Sequence, residues 1–145
     1  RLGRIKVCMA NYITRTDLET CYGIANIEQW GSFDPSDSSY TSDDRVNVAI
    51  EIAEGEIDAV LRSTSGYIVP VTSNGNSLYL VKDIAVVKAV TWLYNLRGVF
   101  DENDKNKLQQ QLDRVNDLLL RIARGQIRLD ATRITHASQV PVVAK

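Results

Sequence analysis

From Leu80 to Leu96 the chain is apolar on nearly every helical face: Ile84, Val87, Ala89, Val90, Leu93 and Tyr94 are broken only by Lys82, Asp83 and Lys88 among charged residues. A helix of this kind has no side to give to water, so it must be covered by neighbours and act as the central rod of a bundle. Its β-branched content would also suit a strand, but about 17 residues without a break exceed ordinary strand length. The three charges also keep it from the ~20 uninterrupted apolar residues of a membrane span.

Two amphipathic segments supply the cover. Over Asp44–Arg62, the residues Val46, Ile50, Ala53, Ile57 and Leu61 recur at steps of three and four, one continuous stripe, with Val48, Ile52 and Val60 widening it. Ser42 or Asp43 is placed to cap this helix, and Asp43 and Asp44 suit its positive end. Glu54 and Asp58 read as a same-sign pair on its solvent face, with Arg62 to relieve Asp58. The second segment starts at Asp101 or Asn103 and runs to Arg124, with Leu108, Leu112, Val115, Leu119 and Ile122 as a narrow seam. That seam fits docking on the previous helix better than a coiled-coil dimer, and Gly125 is its stop. Earlier in the chain, Thr16 with Glu19 suggests a capping box opening a short helix that Gly23 ends, and Ile24, Ile27 and Trp30 suggest a further turn.

The connections are less regular. Residues 31–42 are Gly, Ser, Asp and Pro, a surface loop. Its Asp34 and Asp37 are hard oxygen donors, but a calcium loop counted from Asp34 would need Gly and Glu where Ser39 and Arg45 stand. Pro70 forces Val69 to be extended, so Tyr67–Val71 forms a fixed crossing segment. With the Asn74-Gly75 turn signal, Tyr67–Thr72 and Ser77–Val81 make either a small hairpin or a plain loop. Beyond Gly125 the helical period is lost. Leu129, Ile134 and Val140-Pro141-Val142 mark an extended apolar tail that wants a surface to lie on, unless it is a disordered terminus. The expected fold is mainly α: a bundle of about four helices with a short extended segment or hairpin between the two main pairs. Residues 12–130 form its one domain, 1–11 an N-terminal extension or arm, and 131–145 the C-terminal tail. Met9 reads as a natural start, although an arm with a trimmed initiator fits equally.

Chemistry is hard to find. The lone His136 has no acidic or cysteine neighbour at triad or ligand spacing, Cys8 and Cys21 lack zinc spacing, and no phosphate-loop glycine pattern occurs. Neither an enzyme nor a cofactor is expected, and no secretory leader either. Net charge is −1, but it is partitioned: residues 1–16 carry +4, 17–61 carry −10 and 62–145 carry +5. Such a chain can attract copies of itself. The acidic block argues against a general nucleic-acid surface, for which Arg114, Arg121, Arg124, Arg128 and Arg133 are the only footing.

In their order, the features from Ile57 to Leu129 resemble the head–tail connector (adaptor, or head-completion) proteins of tailed bacteriophages. In that family a helix ends on Ile-Asp-x-x-Leu, matched by Ile57, Asp58 and Leu61. An aromatic and an apolar-Pro-apolar unit follow, matched by Tyr67 and Val69-Pro70-Val71, and the last helix closes on small residues before a Leu, matched by Ala123, Gly125 and Leu129. The family commonly has Arg before the tyrosine; Gly66 stands here and removes any salt bridge such an Arg would make. The resemblance implies a structural virion subunit, made in the host cytoplasm and residing at the head–tail interface. It implies a ring of about twelve copies docked beneath the portal protein and extending the DNA channel. Its partners would be the portal, a tail or second connector ring protein, and genomic DNA that slides past without sequence-specific binding; no membrane is involved. Asp34 and Asp37 in the acidic loop, with Val140, Pro141 and Val142 in the tail, are the candidate partner contacts. Two other readings stay open: a small helical nucleic-acid-binding regulator, and an interaction module outside the virion.

Overall fold

A computed structural model describes residues 12–32, 42–63, 66–71, 76–97 and 101–130. The fold is mainly helical, with five helices and no sheet among the described residues: α1 (Arg15–Tyr22), α2 (Ile24–Gly31), α3 (Ser42–Ser63), α4 (Asn76–Arg97) and α5 (Glu102–Ala123). Helix α4 is the rod that the sequence demanded. Ile84, Ala89, Val90 and Leu93 are fully buried, and Val87 and Tyr94 nearly so. α3 packs along it on one side and α5 on another, and α1 and α2 lie across α3 and α4. Lys88 meets Glu56 while Trp92 shares a cleft with Ile52, so α3 and α4 run antiparallel. Asp83 meets Arg114 and Tyr94 meets Asp101, so α4 and α5 do too. The starts of α3 and α5 and the end of α4 therefore form one pole of the bundle, and their opposite ends form the other.

The α3 stripe is buried from Val46 through Ile50, Ala53 and Ile57 to Leu61, each side chain stabilising the fold by about 1.5–3 kcal/mol where it is large. Val48 departs from expectation: 44% exposed, it stands outside the buried stripe, with no helix among the described residues burying it. On α5 the seam faces inward, with Leu108, Val115, Leu119 and Ile122 buried and Leu112 half-buried. Asp101 caps α5, accepting from the backbone N–H of Asn103 at 2.9 Å and of Asp104 at 3.3 Å. The helix ends on Gly125, whose φ of 78° lets Gln126 N–H reach the Arg121 carbonyl at 2.9 Å.

Three further expectations are corrected. The Thr16/Glu19 capping box does not open α1; Thr14 and Asp17 do, with Asp17 Oδ2 accepting from Thr14 N–H at 2.8 Å. Glu19 is instead taken by Arg15, one turn earlier, at 3.0 Å. Ser77–Val81 is not the second arm of a hairpin. α4 begins at Asn76, four residues before the expected Leu80, because Leu78 and Leu80 pack on the core as part of the helix. Glu54 and Asp58 are no solvated pair: Glu54 is 2% exposed and Asp58 half-buried, each engaged by the N-terminal segment. The extension 1–11, the 33–41 part of the acidic loop, and the tail 131–145 with His136 lie outside the described residues.

Candidate functional site

The residues that carry the sequence pattern meet at one pole. Ile57 and Leu61 bury their side chains at the end of α3, and the Leu61 carbonyl accepts from the N–H of Tyr67 at 2.9 Å. That bond folds the crossing segment back against the helix. Tyr67, 2% exposed, sends its ring into the core, and its phenol oxygen accepts from the backbone N–H of Leu129 at 2.9 Å. Leu129 is buried in turn, and the next residue, Asp130, donates its N–H to Ser77 Oγ at 2.7 Å at the start of α4. Gly125 supplies the turn that brings Leu129 back. The Val69–Pro70 peptide is cis, and Pro70 itself is exposed while Val71 is buried.

Tyr12, which the sequence did not single out, completes this brace. Its phenol donates to Asp58 Oδ1 and accepts from Val71 N–H at 2.9 Å. Its own N–H and that of Ile13 donate to Glu54 Oε2 at 2.7 and 3.0 Å. Burial first, and then the hydrogen bond to Asp58, push the Tyr12 phenol well above the ordinary tyrosine range. Two backbone N–H groups on one buried carboxylate satisfy donors that would otherwise be stranded away from water. The arrangement fastens the N-terminal segment, α3, the crossing segment, α4 and the segment after α5 to one another. Its polar groups hold backbone and one another.

At the other pole Arg15 ties α1 to α2 and α3, bonding Glu19, Glu28 and Asp43. Partial burial alone would lower its pKa, but these three carboxylates raise it. Trp30 of α2 stands edge-on to Tyr94 at 5.1 Å between ring centroids, and Tyr94 Oη accepts from Asp101 N–H at 2.8 Å.

Among the described residues, two clefts stand out on the flanks. The larger, about 380 Å³, is lined by Cys21, Tyr22, Lys107 and the Asp83–Arg114 pair, whose two hydrogen bonds measure 2.8 and 3.2 Å. Burial first, then Asp17 and Asp83, push the Cys21 thiol up, which leaves it protonated and a poor nucleophile at neutral pH. The smaller, about 260 Å³, lies between α3, α4 and α5. Trp92, Leu112 and Ile52 wall it, and Lys88 crosses it from Glu56 at 3.1 Å to Asn116 at 2.8 Å. Thr91, 4% exposed, also lines it, and its hydroxyl has no hydrogen-bond partner among the described residues.

Of the arginines that were the footing for DNA, Arg114 is bonded to Asp83 and Arg121 to Asp117 at 2.9 Å, Arg124 and Arg128 are exposed, and Arg133 lies outside the described residues. So do the partner contacts suggested at Asp34, Asp37, Val140, Pro141 and Val142. No helix among the described residues is long and apolar enough to cross a membrane. No curated protein and no solved structure matches the chain. A family model does, that of bacteriophage Mu Gp36, over residues 12–143, a stretch that starts at the tyrosine of the brace and runs past Leu129. By that match the chain belongs to the bacteriophage Mu Gp36 family.

Proposed function

We propose that the protein is a head–tail connector subunit of a tailed phage, a structural part of the virion and not an enzyme. In this reading about twelve copies form a closed ring beneath the portal protein, extend the DNA channel and offer a lower face to the tail or to a second connector ring. The brace is the observation that carries it. Residues Ile57, Asp58, Leu61, Tyr67, Gly125 and Leu129, which gave the chain its likeness to connectors, fold into one fastening at one pole. A ring subunit has to transmit load between portal and tail without shearing, and a bundle tied at both poles by buried tyrosines and an arginine hub suits that task. Membership in a phage family agrees with it. Genomic DNA would pass the ring without being read. The regulator reading loses ground because Arg114 and Arg121 already serve carboxylates of their own chain.

Particle mass tests the proposal. Purified protein is measured by light scattering alone and mixed with the portal of its phage. A shift to a ring, or comigration with the portal, is the expected outcome. A protein that stays monomeric and ignores the portal would overturn the reading in favour of an interaction module outside the virion.

A further inference from the structure

We propose that the brace pole is a docking surface for the phosphate backbone of duplex DNA, held by charge and without reading bases. The proposal concerns the single chain and does not rest on the ring. Folding brings together cations that lie far apart in sequence. Arg62 directly follows Leu61, whose carbonyl accepts from Tyr67 N–H, and Arg128 directly precedes Leu129, whose N–H donates to the Tyr67 phenol. One tyrosine therefore separates the backbone beside Arg62 from the backbone beside Arg128. Arg124 stands at the end of α5, on the same pole. All three arginines are exposed, and none has a carboxylate partner among the described residues. Arg15, Lys88, Arg114 and Arg121, in contrast, each serve an acid of their own chain.

Both ends of the described chain add to this pole, since Tyr12 and Asp130 are fastened there. The residues before Tyr12 include Arg1, Arg4 and Lys6, those after Asp130 include Arg133 and Lys145, and neither segment has an Asp or Glu. Against these stand the exposed Asp130 and roughly half a negative charge at the ends of α3 and α5, while the start of α4 brings half a positive one. The acidic block does not cancel them. Glu19, Glu28 and Asp43 gather on Arg15 at the far pole, Glu56 goes to Lys88, and Glu54 and Asp58 are engaged by Tyr12. A duplex carries one phosphate charge per ~1.7 Å of its axis, so it is held by cations spread over a surface and needs no pocket. Arginine suits it because its fork bonds two phosphate oxygens at once. An acidic protein is the competing occupant, with fewer charges along its length.

The test uses the full chain and fluorescence anisotropy of short labelled DNA duplexes, titrated at several salt concentrations. One variant combines Arg62→Gln, Arg124→Gln and Arg128→Gln. The comparison variant, Lys107→Gln, removes an exposed cation near the start of α5, at the far pole. All four side chains are exposed, and circular dichroism checks that both variants fold as the parent does. The parent should bind two duplexes of unrelated sequence equally, with affinity that falls steeply as salt rises. The triple variant should bind about tenfold or more weakly at low salt, and its slope against salt should drop by about 2–3, close to 0.9 per lost contact. Lys107→Gln should bind as the parent does. A parent that does not bind at low salt overturns the proposal. So does a triple variant that matches the parent in affinity and slope, or a Lys107→Gln loss as large as the triple variant's. Polyglutamate that displaces the labelled duplex better than unlabelled duplex does would hand the pole to an acidic protein and overturn it as well. None of these results touches the ring reading, which particle mass decides.

Discussion

Tyr12 is bonded through its backbone and its ring at once: the N–H goes to Glu54 and the phenol bridges Asp58 and Val71. Tyr12→Phe keeps the ring and strands the Val71 N–H in a buried place, so it should cost about 1–3 kcal/mol in urea unfolding. The phenol's pKa is raised on folding, so its stabilising contribution is whole below the unfolded value of about 10 and is lost as pH rises beyond it. Parent stability should therefore fall more steeply above about pH 10 than that of Tyr12→Phe; equal slopes would mean the phenol titrates freely. Glu54→Ala should be at least as harmful, about 1.5–3 kcal/mol, because two backbone donors lose one charged acceptor. None of this was legible in sequence. Glu54 and Asp58 sit where a helix pattern places solvated charge, and the partner that buries them lies 42 and 46 positions away with no local signature.

Elements were far easier to read, because their causes are local. The α3 stripe, the all-round apolar α4 and the α5 seam each follow from helical spacing, and all three are where the spacing put them. Gly125 was legible as a stop because only a residue tolerant of positive φ turns the chain there. Nothing among the described residues lies within 4 Å of its missing Cβ, so Gly125→Ala meets backbone strain, about 1–2 kcal/mol by thermal unfolding. The start of α4 was misread because turn residues Asn74-Gly75 and the β-prone run after them outweighed the apolar Leu78 and Leu80, which are helical through packing. Tyr67→Phe tests the next level up. It leaves the buried Leu129 N–H without its acceptor, so amides of residues 126–130 should exchange faster while those in the middle of α4 keep their protection. Uniform loss of protection would mean that the brace and the core unfold as one unit.

Across the whole molecule, the charge partition seen in the sequence survives folding only in part. Arg15 neutralises carboxylates of the acidic block, and Lys88 and Arg114 pair with acids from other helices. What remains for neighbours is smaller than the block sums imply, so salt should weaken self-association only modestly; dissociation by moderate salt would show that charge leads it. Removing residues 131–145 should spare the fold, since Leu129 and the Asp130–Ser77 bond stay, whereas stopping at residue 125 should lower the melting temperature by several degrees. The brace has a further consequence for topology. The Tyr12 phenol accepts from Val71 N–H and the Leu129 N–H donates to the Tyr67 phenol, so both ends of the described chain are fastened to residues only four apart in sequence. A flexible linker from Asp130 back to Tyr12, long enough to span the brace, would make a circular permutant with the same helix packing, free to be opened between α4 and α5. In such a molecule the brace would sit mid-chain, and its tyrosines would no longer be guarding loose ends.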